Sequence, residues 1–541
     1  MNQLRLLLAS PQRLLLLAIG LLLLPALTTN LGLLALYGDE SIRALVALEM
    51  DISGNYLTPT MFGEFYYNKP PLYNWILLAI FKLTGRNDEF IARFTTVLFL
   101  LAYAATVFFV VKKQLARSAN GLATSPAFMA LLVALGLVTC GRILFWDSML
   151  ALIDTCFSLV IYAMLMTIFV QGERERFGRL FAGAYLLAAI GFMLKGLPAV
   201  VFLGISLLAY FFWCKKWRPF FSLRHVVGMA VFGAVVGSYY ALYAQQNGLE
   251  TVFTTLFNES AKRTFVEHGI GKTILHFFTF PFEMWYHFLP WTLLAIYFFR
   301  KNTLAQILGN RFIAWNALAC VTTVLPYWAS VEVYPRYLLM HVPMVFTVLF
   351  YLHFINKEQG SKAGKWLETT LQGLVWLMLA TSFAPLFWKE VQDFPHIIIK
   401  VGFLAAATGL LLWCYRRWEA QRFLAFVAVL LVARIGFDWF VLPTRYHVDF
   451  NNEVRRTSVE AVKKANGRPI HIYKHSLDVQ PVTGYYFTRE TGDILRKKLV
   501  GDFSKEDFYI LDTNRYHREY ETISTLKIMW EHDEIRFVKI K

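Results

Sequence analysis

The chain is poor in the residues on which disulfide-stabilised, metal-binding and nucleotide-driven proteins depend. Five of its 541 residues are cysteine, and charged residues make up only 17% of it. The cysteines lie in or beside apolar stretches, so no disulfide framework is expected. The sequence has no C-x-x-C pair, no His/Cys metal-ligand spacing, no phosphate-binding glycine loop and no G-x-S-x-G motif. It therefore gives no support to a zinc protein, a nucleotide-driven enzyme or a serine hydrolase.

Apolar residues dominate instead. They make up 57% of the chain, and the mean hydropathy is +0.46. Apolar stretches long enough to cross roughly 30 Å of hydrocarbon recur up to residue 442, which predicts an integral membrane protein. The first run, residues 14–36, is longer than the apolar core of a signal peptide and lacks a clear small-residue cleavage site. It is therefore interpreted as a membrane span.

The formal net charge of +16 comes largely from short basic clusters between the apolar stretches. These clusters occur at every second connection, the pattern that places them in the cytoplasm. The charge therefore orients the chain in a membrane, and no nucleic-acid partner is expected. Examples are Lys112, Lys113 and Arg117; Arg174, Arg176 and Arg179; and Arg416, Arg417 and Arg422.

Hydropathy and charge together predict about thirteen transmembrane helices. Because this number is odd, the C-terminus is expected on the exterior side. The predicted spans are residues 13–36, 91–111, 123–141, 148–170, 180–194, 196–214, 225–244, 278–299, 312–330, 337–355, 366–387, 396–415 and 423–442.

Three regions are left outside the membrane. In the first, residues 37–90, two apolar stretches at helical spacing predict helices lying at the membrane interface. The second, residues 245–272, is a short polar loop. The third, residues 443–541, predicts a small α/β domain with a helix near 452–466 and strands at 470–473, 507–511 and 535–540. The predicted domains are thus a transmembrane domain, 1–442, and an exterior domain, 443–541.

Two carboxylate clusters fall on the predicted exterior face. Asp39 and Glu40 follow the first span, and Asp147 lies between the third and fourth spans. Acidic groups that converge at a membrane boundary suggest a site for a lipid-linked polar substrate. A further acid, Asp154, lies seven residues after Asp147, deeper in the membrane, and is interpreted as bonding a neighbouring helix.

A series of short motifs follows in a fixed order on the predicted exterior side of the membrane. The motifs are Asp39-Glu40, Asn68-Lys69-Pro70, Arg142 to Asp147, Leu194-Lys195-Gly196-Leu197-Pro198, Leu289-Pro290-Trp291, and Tyr334-Pro335-Arg336-Tyr337 with Pro343. This series, which covers spans one to ten, resembles the GT-C glycosyltransferases that use polyprenyl-phosphate sugars. The plan is most similar to the lipid A aminoarabinose transferases (ArnT), and next to the protein O-mannosyltransferases.

The resemblance implies a role for each matching residue. The donor's leaving group is a lipid phosphate, which needs positive charge more than a general acid. Asp39 would act as the base toward the acceptor hydroxyl, and Asp147 would position acceptor or sugar. The remaining matches would bind substrate: Glu40, Lys69, Arg142, Lys195, Arg336 and Tyr337. Direct displacement would invert the anomeric configuration, with no cofactor and no divalent metal required.

Structural interpretations remain open beside these roles. Asp39, Glu40 and Asp147 could be helix-capping acids. Lys69 could anchor the chain to interfacial phospholipid, and Lys195 could be a turn residue between two helices. Arg434 and Asp438 in the last span, spaced i,i+4, are expected to pair with each other.

The sequence also departs from the family pattern. ArnT-like proteins show Glu-Lys-Pro where this chain has Asn68-Lys69-Pro70, and an arginine three residues after the first aspartate, where this chain has Ile42 and then Arg43. Neither aminoarabinose as the sugar nor a metal site built on that glutamate is therefore implied. The short 245–272 loop lacks room for the extra domain usual in protein O-mannosyltransferases.

We expect an inner-membrane enzyme of a bacterium, with its active site and C-terminal domain facing the periplasm. It would move sugar from undecaprenyl phosphate to lipid A or another envelope glycan. The alternatives are a protein O-mannosyltransferase and, in another class, a flippase or transporter of lipid-linked saccharide. A transporter would need polar residues near the bilayer midplane and interrupted helices in matched halves, whereas the acids and bases here gather at one face.

Overall fold

The protein is a helical bundle followed by a small mixed sheet. This computed structural model describes residues 10–118, 122, 124–261, 270–357, 362–476, 479–528 and 535–541. Helices occupy most of the chain as far as Val448, and the strands of the mixed sheet lie beyond it.

Long apolar helices form the bundle. Within the described ranges, eight helices are long and apolar enough to cross a membrane, and a ninth is obtained if one pair bent by 42° counts as a single span. The eight are Pro11–Thr28, Glu89–Ser118, Ile153–Gly172, Phe177–Lys195, Leu223–Tyr243, Lys362–Leu386, Ile397–Arg417 and Glu419–Val448, and the bent pair is Pro126–Thr139 with Gly141–Met149.

Each of the thirteen predicted spans overlaps a helix, yet the count of thirteen is not confirmed by length and composition. Two of these helices, Pro198–Cys214 and Val342–Ile355, have fewer than 18 residues. The remaining predicted spans correspond to Arg311–Trp328 and to Ile270–His287, which is followed by a 3₁₀ segment at Trp291–Phe299. The protein is thus a multi-pass membrane protein.

The two predicted exterior helices are present at Asp39–Ser53 and Leu72–Thr84. Both end on a glycine in the left-handed conformation, the residue that adopts this geometry most readily. Between them lies a hairpin of β1 (Thr60–Met61) and β2 (Glu64–Phe65). Their position at a membrane interface stays a prediction.

The hairpin is fastened to the first of these helices by Glu49. Its carboxylate accepts hydrogen bonds from the amides of Phe62, at 2.6 Å, and Gly63, at 3.1 Å, and from the Thr60 hydroxyl, at 2.7 Å. Burial raises the pKa of Glu49 above its ordinary value, while these hydrogen bonds act in the opposite direction.

The predicted polar loop at 245–272 contains the helix Glu250–Ala261, and residues 262–269 lie outside the described part of the chain. Shorter helical pieces connect the bundle elsewhere: Trp217–Phe220, Thr303–Leu308 and the 3₁₀ turns Asp147–Met149, Pro335–Leu338, Ala384–Leu386, Lys389–Val391 and Glu419–Gln421. The helix Arg422–Gly436 continues through a π-turn, Phe437–Val441, into Leu442–Val448.

The C-terminal domain is called the exterior domain here after its predicted location. In the described residues its sheet has five strands, in the order Arg496–Lys498 (β4), Ile470–Tyr473 (β3), Phe508–Asp512 (β5), Ile535–Ile540 (β7) and Tyr520–Thr525 (β6). The predicted strands β3 (Ile470–Tyr473), β5 (Phe508–Asp512) and β7 (Ile535–Ile540) are present, as is the helix, Phe450–Ala465. The sequence did not predict β4 (Arg496–Lys498), β6 (Tyr520–Thr525) or the helix Pro481–Thr491. β3 pairs in parallel with β4 and β5, and β7 pairs antiparallel with β5 and β6.

The exterior domain packs directly on the Asp39–Ser53 helix. Leu45 and Phe62 share a core with Tyr486 and Phe537 of the domain. The approach is closest at Gly484, where an added Cβ would lie 2.4 Å from the Phe62 ring.

Side chains of the exterior domain also hold the segment 33–36, which leads into that helix. Asn452 Oδ1 accepts from the Ala35 amide at 2.8 Å, and the Tyr486 hydroxyl oxygen accepts from the Leu36 amide at 3.1 Å. Arg455 donates to the Leu33 carbonyl at 3.1 Å. These contacts together are called the clamp on residues 33–36. Glu89 supports the clamp, because it accepts hydrogen bonds from Tyr486 at 2.8 Å and from Arg455 at 3.0 Å.

Candidate functional site

A small polar cavity lies where the exterior helices meet the bundle. Its volume is about 110 Å³. It is lined by side chains from five separate parts of the chain. It brings together four of the eight predicted site residues, Asp39, Lys69, Lys195 and Tyr337, and its other polar members are Arg43, Tyr66, Asn68 and Asp154.

A chain of ion pairs runs along this cavity. Arg336 Nη2 lies 2.9 Å from Asp39 Oδ2, and Arg336 Nε lies 3.6 Å from Asp154 Oδ2. Lys195 Nζ lies 2.5 Å from Asp154 Oδ1 and 4.0 Å from the centre of the Tyr337 ring. Two carboxylates thus alternate with two cations, and each holds its neighbour in place.

Helix ends place the central pair of this network. Asp154 lies in the first turn of Ile153–Gly172, where the helix dipole favours a negative charge. Lys195 is the last residue of Phe177–Lys195, where the dipole favours a positive charge. The chain then turns at Gly196, whose φ of +83° disfavours a side chain. The predicted turn at Lys195 is therefore real, and it also delivers the ammonium group to the cavity.

An apolar groove of about 290 Å³ continues from the polar cavity. The two share Asn68, Lys69, Lys195 and Tyr337. Beyond these shared residues the lining is mostly apolar, with Glu332 and Ser330 as its polar members, and includes Leu197, Pro198, Val201, Phe202, Leu256 and Pro326. Lys69 and Lys195 therefore stand at the junction between a polar and an apolar compartment.

Positive charge exceeds negative charge around the polar cavity. Among the residues that the structure describes here, Arg43, Lys69, Lys195 and Arg336 are cationic, whereas Asp39 and Asp154 are anionic. Such an excess of positive charge favours an anionic ligand, and a phosphate group at the junction of the two compartments would be such a ligand.

Asp39 and Glu40 have different surroundings although they are adjacent. The Asp39 side chain is 54% exposed. Glu40 is fully buried, 2.6 Å from Arg93, and accepts from the amides of Tyr37 at 2.7 Å and Ala151 at 2.9 Å. This geometry favours a positioning role for Glu40 over the predicted substrate contact, because its oxygens already have partners.

Asp147 and Arg142 pair with each other, the two charged groups lying 3.1 Å apart. Neither lines the polar cavity or the apolar groove, and the Asp147 side chain is only 3% exposed. Asp147 is nevertheless near enough to the network for the charges of Asp154 and Arg336 to act on it. The structure thus supports indirect roles for this pair better than the predicted direct ones, which stay predictions.

Among the polar residues that line the cavity, Asp154, Arg43, Tyr66 and Asn68 were not predicted as site residues. Asp154 does bond a neighbouring helix, through Lys195, but it also lines the cavity. Arg43 is 5% exposed, and its Nη2 donates to the Tyr66 hydroxyl at 2.8 Å. The available signal for Asp154 was its position inside a membrane span, where ionisable groups mark functional sites.

The predicted structural pair Arg434–Asp438 is confirmed, with Nε and Oδ1 2.8 Å apart in a fully buried setting. In the described parts of the chain, no group of three His, Cys, Asp or Glu residues is arranged to hold a metal ion. Independence from a divalent metal stays a prediction.

The chain is similar to known proteins in both sequence and structure. Residues 68–241 match the family model described as dolichyl-phosphate-mannose-protein mannosyltransferase. A curated relative, the undecaprenyl phosphate-alpha-4-amino-4-deoxy-L-arabinose arabinosyl transferase of Edwardsiella ictaluri (strain 93-146), is 28% identical over 187 residues. That match covers 34% of this chain and 32% of the relative, so the chain spans about a third of its length.

Two solved structures share the architecture throughout. ArnT from Cupriavidus metallidurans bound to undecaprenyl phosphate superposes with a TM-score of 0.70 at 15% identity, and the apo form of that protein with 0.66 at 16%. Each comparison covers 97% of both chains. The chain therefore has the fold of ArnT, and the predicted resemblance is confirmed at the level of the fold.

Proposed function

We propose that the protein is a glycosyltransferase that takes a sugar from undecaprenyl phosphate and transfers it to an acceptor outside the cytoplasm. The proposal rests on one observation. Two lysines, Lys69 and Lys195, stand at the junction of an apolar groove and a polar cavity that ends at an exposed carboxylate, Asp39. A lipid phosphate sugar has the same order of parts, with a prenyl chain, a phosphate and a hydroxyl-rich ring.

In this proposal each compartment binds one part of the donor. The first prenyl units lie in the apolar groove beside Val201 and Phe202, where burial of apolar surface stabilises them. The phosphate lies at Lys69 and Lys195, and the sugar occupies the polar cavity. Arg336 orients Asp39 through their 2.9 Å ion pair.

The chemical step is a displacement at the anomeric carbon. The acceptor hydroxyl gives its proton to the Asp39 carboxylate as its oxygen forms the new bond to that carbon. The bond from the carbon to the phosphate oxygen breaks, and its electron pair leaves with the phosphate. Lys69 and Lys195 stabilise the growing negative charge. The sugar configuration inverts, and neither a nucleotide nor a metal takes part in this scheme.

The proposed location is the inner membrane of a bacterium, with the polar cavity and the exterior domain in the periplasm. The alternating basic connections support this orientation. The acceptor would then be an envelope component such as lipid A or another glycan. Reporter fusions after Lys541 and after Lys113 test the topology, because they are expected to report the exterior and the cytoplasm respectively.

The decisive test is sugar transfer by purified protein in nanodiscs, followed as release of undecaprenyl phosphate from the donor. Lys69→Met is expected to lower the turnover number by about 10²–10³-fold, since it removes one cation from the leaving phosphate. Lys69→Arg should restore part of the rate if charge alone matters.

Lys82→Met is the matched control, because Lys82 is half exposed and pairs with Asp51 outside the cavity. Equal rates for the Lys69→Met and Lys82→Met variants would support a lipid-anchoring role for Lys69 and contradict the proposal. Wild-type protein that moves the donor across a bilayer without releasing undecaprenyl phosphate would establish the transporter alternative.

A protein acceptor is the second candidate, and one observation favours it. The family model matched by residues 68–241 is named for mannosyl transfer to protein. Mass spectrometry of peptides and lipids after the same reaction separates the two, since a protein O-mannosyltransferase would leave the sugar on serine or threonine.

A further inference from the structure

The short hairpin of β1 and β2 does not line the polar cavity, yet the chain runs from it directly into that cavity. Its second strand ends at Phe65, and Lys69 follows four residues later. Tyr66 and Lys69 both line the polar cavity, and Lys69 also lines the apolar groove. A shift of the hairpin therefore reaches Lys69 through a connection of only three residues.

This connection has little freedom of its own. The Tyr66 amide donates to the Pro59 carbonyl at 2.8 Å, which closes the open end of the hairpin. Lys69 precedes Pro70, and a residue before proline is restricted to extended conformations. Pro70 in turn lies near Gly196, since a Cβ added at Gly196 would be 4.0 Å from Pro70 Cδ. The position of Lys69 thus follows the position of the hairpin.

Glu49 holds the hairpin from the Asp39–Ser53 helix. Its side chain is fully buried, and its carboxylate accepts from the Thr60 hydroxyl and from the amides of Phe62 and Gly63. Phe62 and Gly63 are the two residues that join β1 to β2. Hydrogen bonds to a charged acceptor are about twice as strong as those between neutral groups. One carboxylate therefore fixes the turn, although Glu49 itself lines neither the polar cavity nor the apolar groove.

The turn that Glu49 holds is strained. Phe62 has a φ of +57° and Gly63 a φ of +72°, as in a two-residue type I′ turn. A positive φ is unfavourable for a bulky residue such as Phe62, and it persists only where the surroundings enforce it. Loss of the Glu49 carboxylate is therefore expected to let the turn relax and to move the residues that follow it.

Strand β4 of the exterior domain contacts the same turn. The Arg496 side chain lies over Gly63, where an added Cβ would be 2.8 Å from Arg496 Nη1. Lys497 Nζ lies 3.4 Å from Glu64 Oε2 and 5.9 Å from the centre of the Phe62 ring. The Phe62 ring is also part of the core that the exterior domain shares with the Asp39–Ser53 helix. The hairpin is thus held by that helix and by the exterior domain together.

We propose that Glu49 is a positioning residue for the leaving phosphate, because through the hairpin it fixes Lys69 at the junction of the polar cavity and the apolar groove. This inference rests on the proposed function, in which Lys69 stabilises the charge that grows on the phosphate. Such stabilisation depends on a cation already in place, and a displacement of about 1 Å is enough to weaken it. Glu49 acts on the reaction without touching the substrate, and the exterior domain takes part through β4.

A double-mutant cycle on the binding of radiolabelled undecaprenyl phosphate to the full-length protein in nanodiscs tests this role. Glu49→Gln is expected to raise the Kd about tenfold, because glutamine offers one acceptor oxygen and an NH₂ group to a turn that presents three donors. In a Lys69→Met background the same change is expected to raise the Kd by less than about twofold, since the cation that Glu49 positions is already absent.

Glu89→Gln is the matched control for this cycle. Glu89 is another buried carboxylate, and it accepts from Tyr486 of the exterior domain at 2.8 Å, away from the hairpin. Its effect on the Kd, whatever its size, should be the same with and without Lys69. A loss of stability alone lowers the number of binding sites in the preparation and leaves the Kd unchanged, so the assay separates positioning from folding.

A second pair of variants moves the hairpin and keeps both Glu49 and Lys69. Gly63→Ala places a Cβ against the Arg496 side chain, so the turn must shift. It is expected to raise the Kd about threefold. Gly85→Ala is its control, because Gly85 also has a positive φ, +66°, but an added Cβ there meets no atom within 4 Å. Its Kd should equal that of wild type, and this pair decides the question if Glu49→Gln does not fold.

Consumption of lipid-linked sugars extracted from bacterial envelopes, measured on the same preparations, separates the two proposals. In an active wild type, an unchanged Kd in Glu49→Gln, or an equal effect of that change with and without Lys69, overturns the positioning role alone. Equal Kd values for Gly63→Ala and Gly85→Ala overturn the role of the hairpin. A wild type that binds undecaprenyl phosphate but never consumes a sugar linked to it overturns the proposed function and, with it, the catalytic meaning of Lys69.

Discussion

Four carboxylates on one helix, Asp39–Ser53, have three different fates. Asp39 is half exposed, lines the polar cavity and forms an ion pair with Arg336. Glu40 and Glu49 are fully buried and bonded to backbone amides and side chains. Asp51 lies in the open, 2.9 Å from Lys82.

The comparison shows that a carboxylate on this helix is available for chemistry only if its oxygens are not already bonded to other groups of the protein. Whether the residue is Asp or Glu does not decide this. Glu40 belongs to the Asp39-Glu40 motif and Glu49 does not. The side-chain oxygens of both nevertheless already accept hydrogen bonds from backbone amides. Asp39 alone among the four combines exposure with a place at the cavity. Consecutive helical residues differ by about 100° around the axis, so adjacent side chains face different surroundings.

The largest expected effect is on the buried pair. Arg93→Met leaves Glu40 charged and without its cation, which is expected to destabilise the fold by about 3–5 kcal/mol. Arg93 also donates to the carbonyls of Leu31, Leu34 and Ala35, so these bonds are lost as well. Thermal unfolding in detergent measures the effect. An unfolding temperature equal to that of Lys82→Met would contradict it.

The next largest effect is expected for Asp39→Asn, which tests a role in sugar transfer and not a role in fold stability. Transfer is expected to fall by about 10²-fold or more, because the acceptor hydroxyl loses its base. The unfolding temperature should stay near that of wild type, since the side chain is half exposed. Donor turnover and thermal unfolding are measured together. Full activity here, with loss in Glu40→Gln, would move the base one residue along the chain.

A smaller effect is expected where the exterior domain meets this helix. Gly484→Ala places a Cβ within 2.4 Å of the Phe62 ring, an overpacking expected to cost about 1–3 kcal/mol. Limited proteolysis of the exterior domain reports its release. Gly501→Ala is the control, because no atom lies within 4 Å of the added Cβ there. Identical digestion of the two variants would show that the close approach of Gly484 to the Phe62 ring does not contribute to the stability of this interface.

The smallest effect belongs to the exposed carboxylate. Asp51→Asn breaks a solvent-exposed ion pair, and such pairs contribute about 0–1 kcal/mol. Both the unfolding temperature and donor turnover should stay close to wild type. A loss as large as that of Arg93→Met would remove the distinction between buried and exposed acids on this helix.

Much of the fold could be predicted because membrane helices and basic connections leave strong periodic signals. The convergence of Asp39, Lys69, Lys195, Arg336 and Tyr337 could also be predicted, since the resemblance placed all of them on one side. What the sequence could not supply was which of two adjacent acids faces the cavity. That depends on Arg93, which lies 53 positions from Glu40 along the chain.

The unpredicted parts have different physical causes. β4 is the three-residue strand Arg496–Lys498 at the edge of its sheet, too short and too polar for an alternating pattern. Asp154 was interpreted as structural because a single intramembrane acid does not reveal its partners. Its two cations, Lys195 and Arg336, come from distant parts of the chain.

The clamp on residues 33–36 determines when this segment can take up its final position during synthesis of the chain. Asn452, Arg455 and Tyr486 reach that segment only after more than four hundred further residues have been synthesised. The ribosome thus makes the Asp39 segment early, and this segment is fully anchored only after the C-terminal domain has been made and has folded. Under the proposed function, Asp39 would therefore be fixed in place for sugar transfer only once the whole chain has been synthesised.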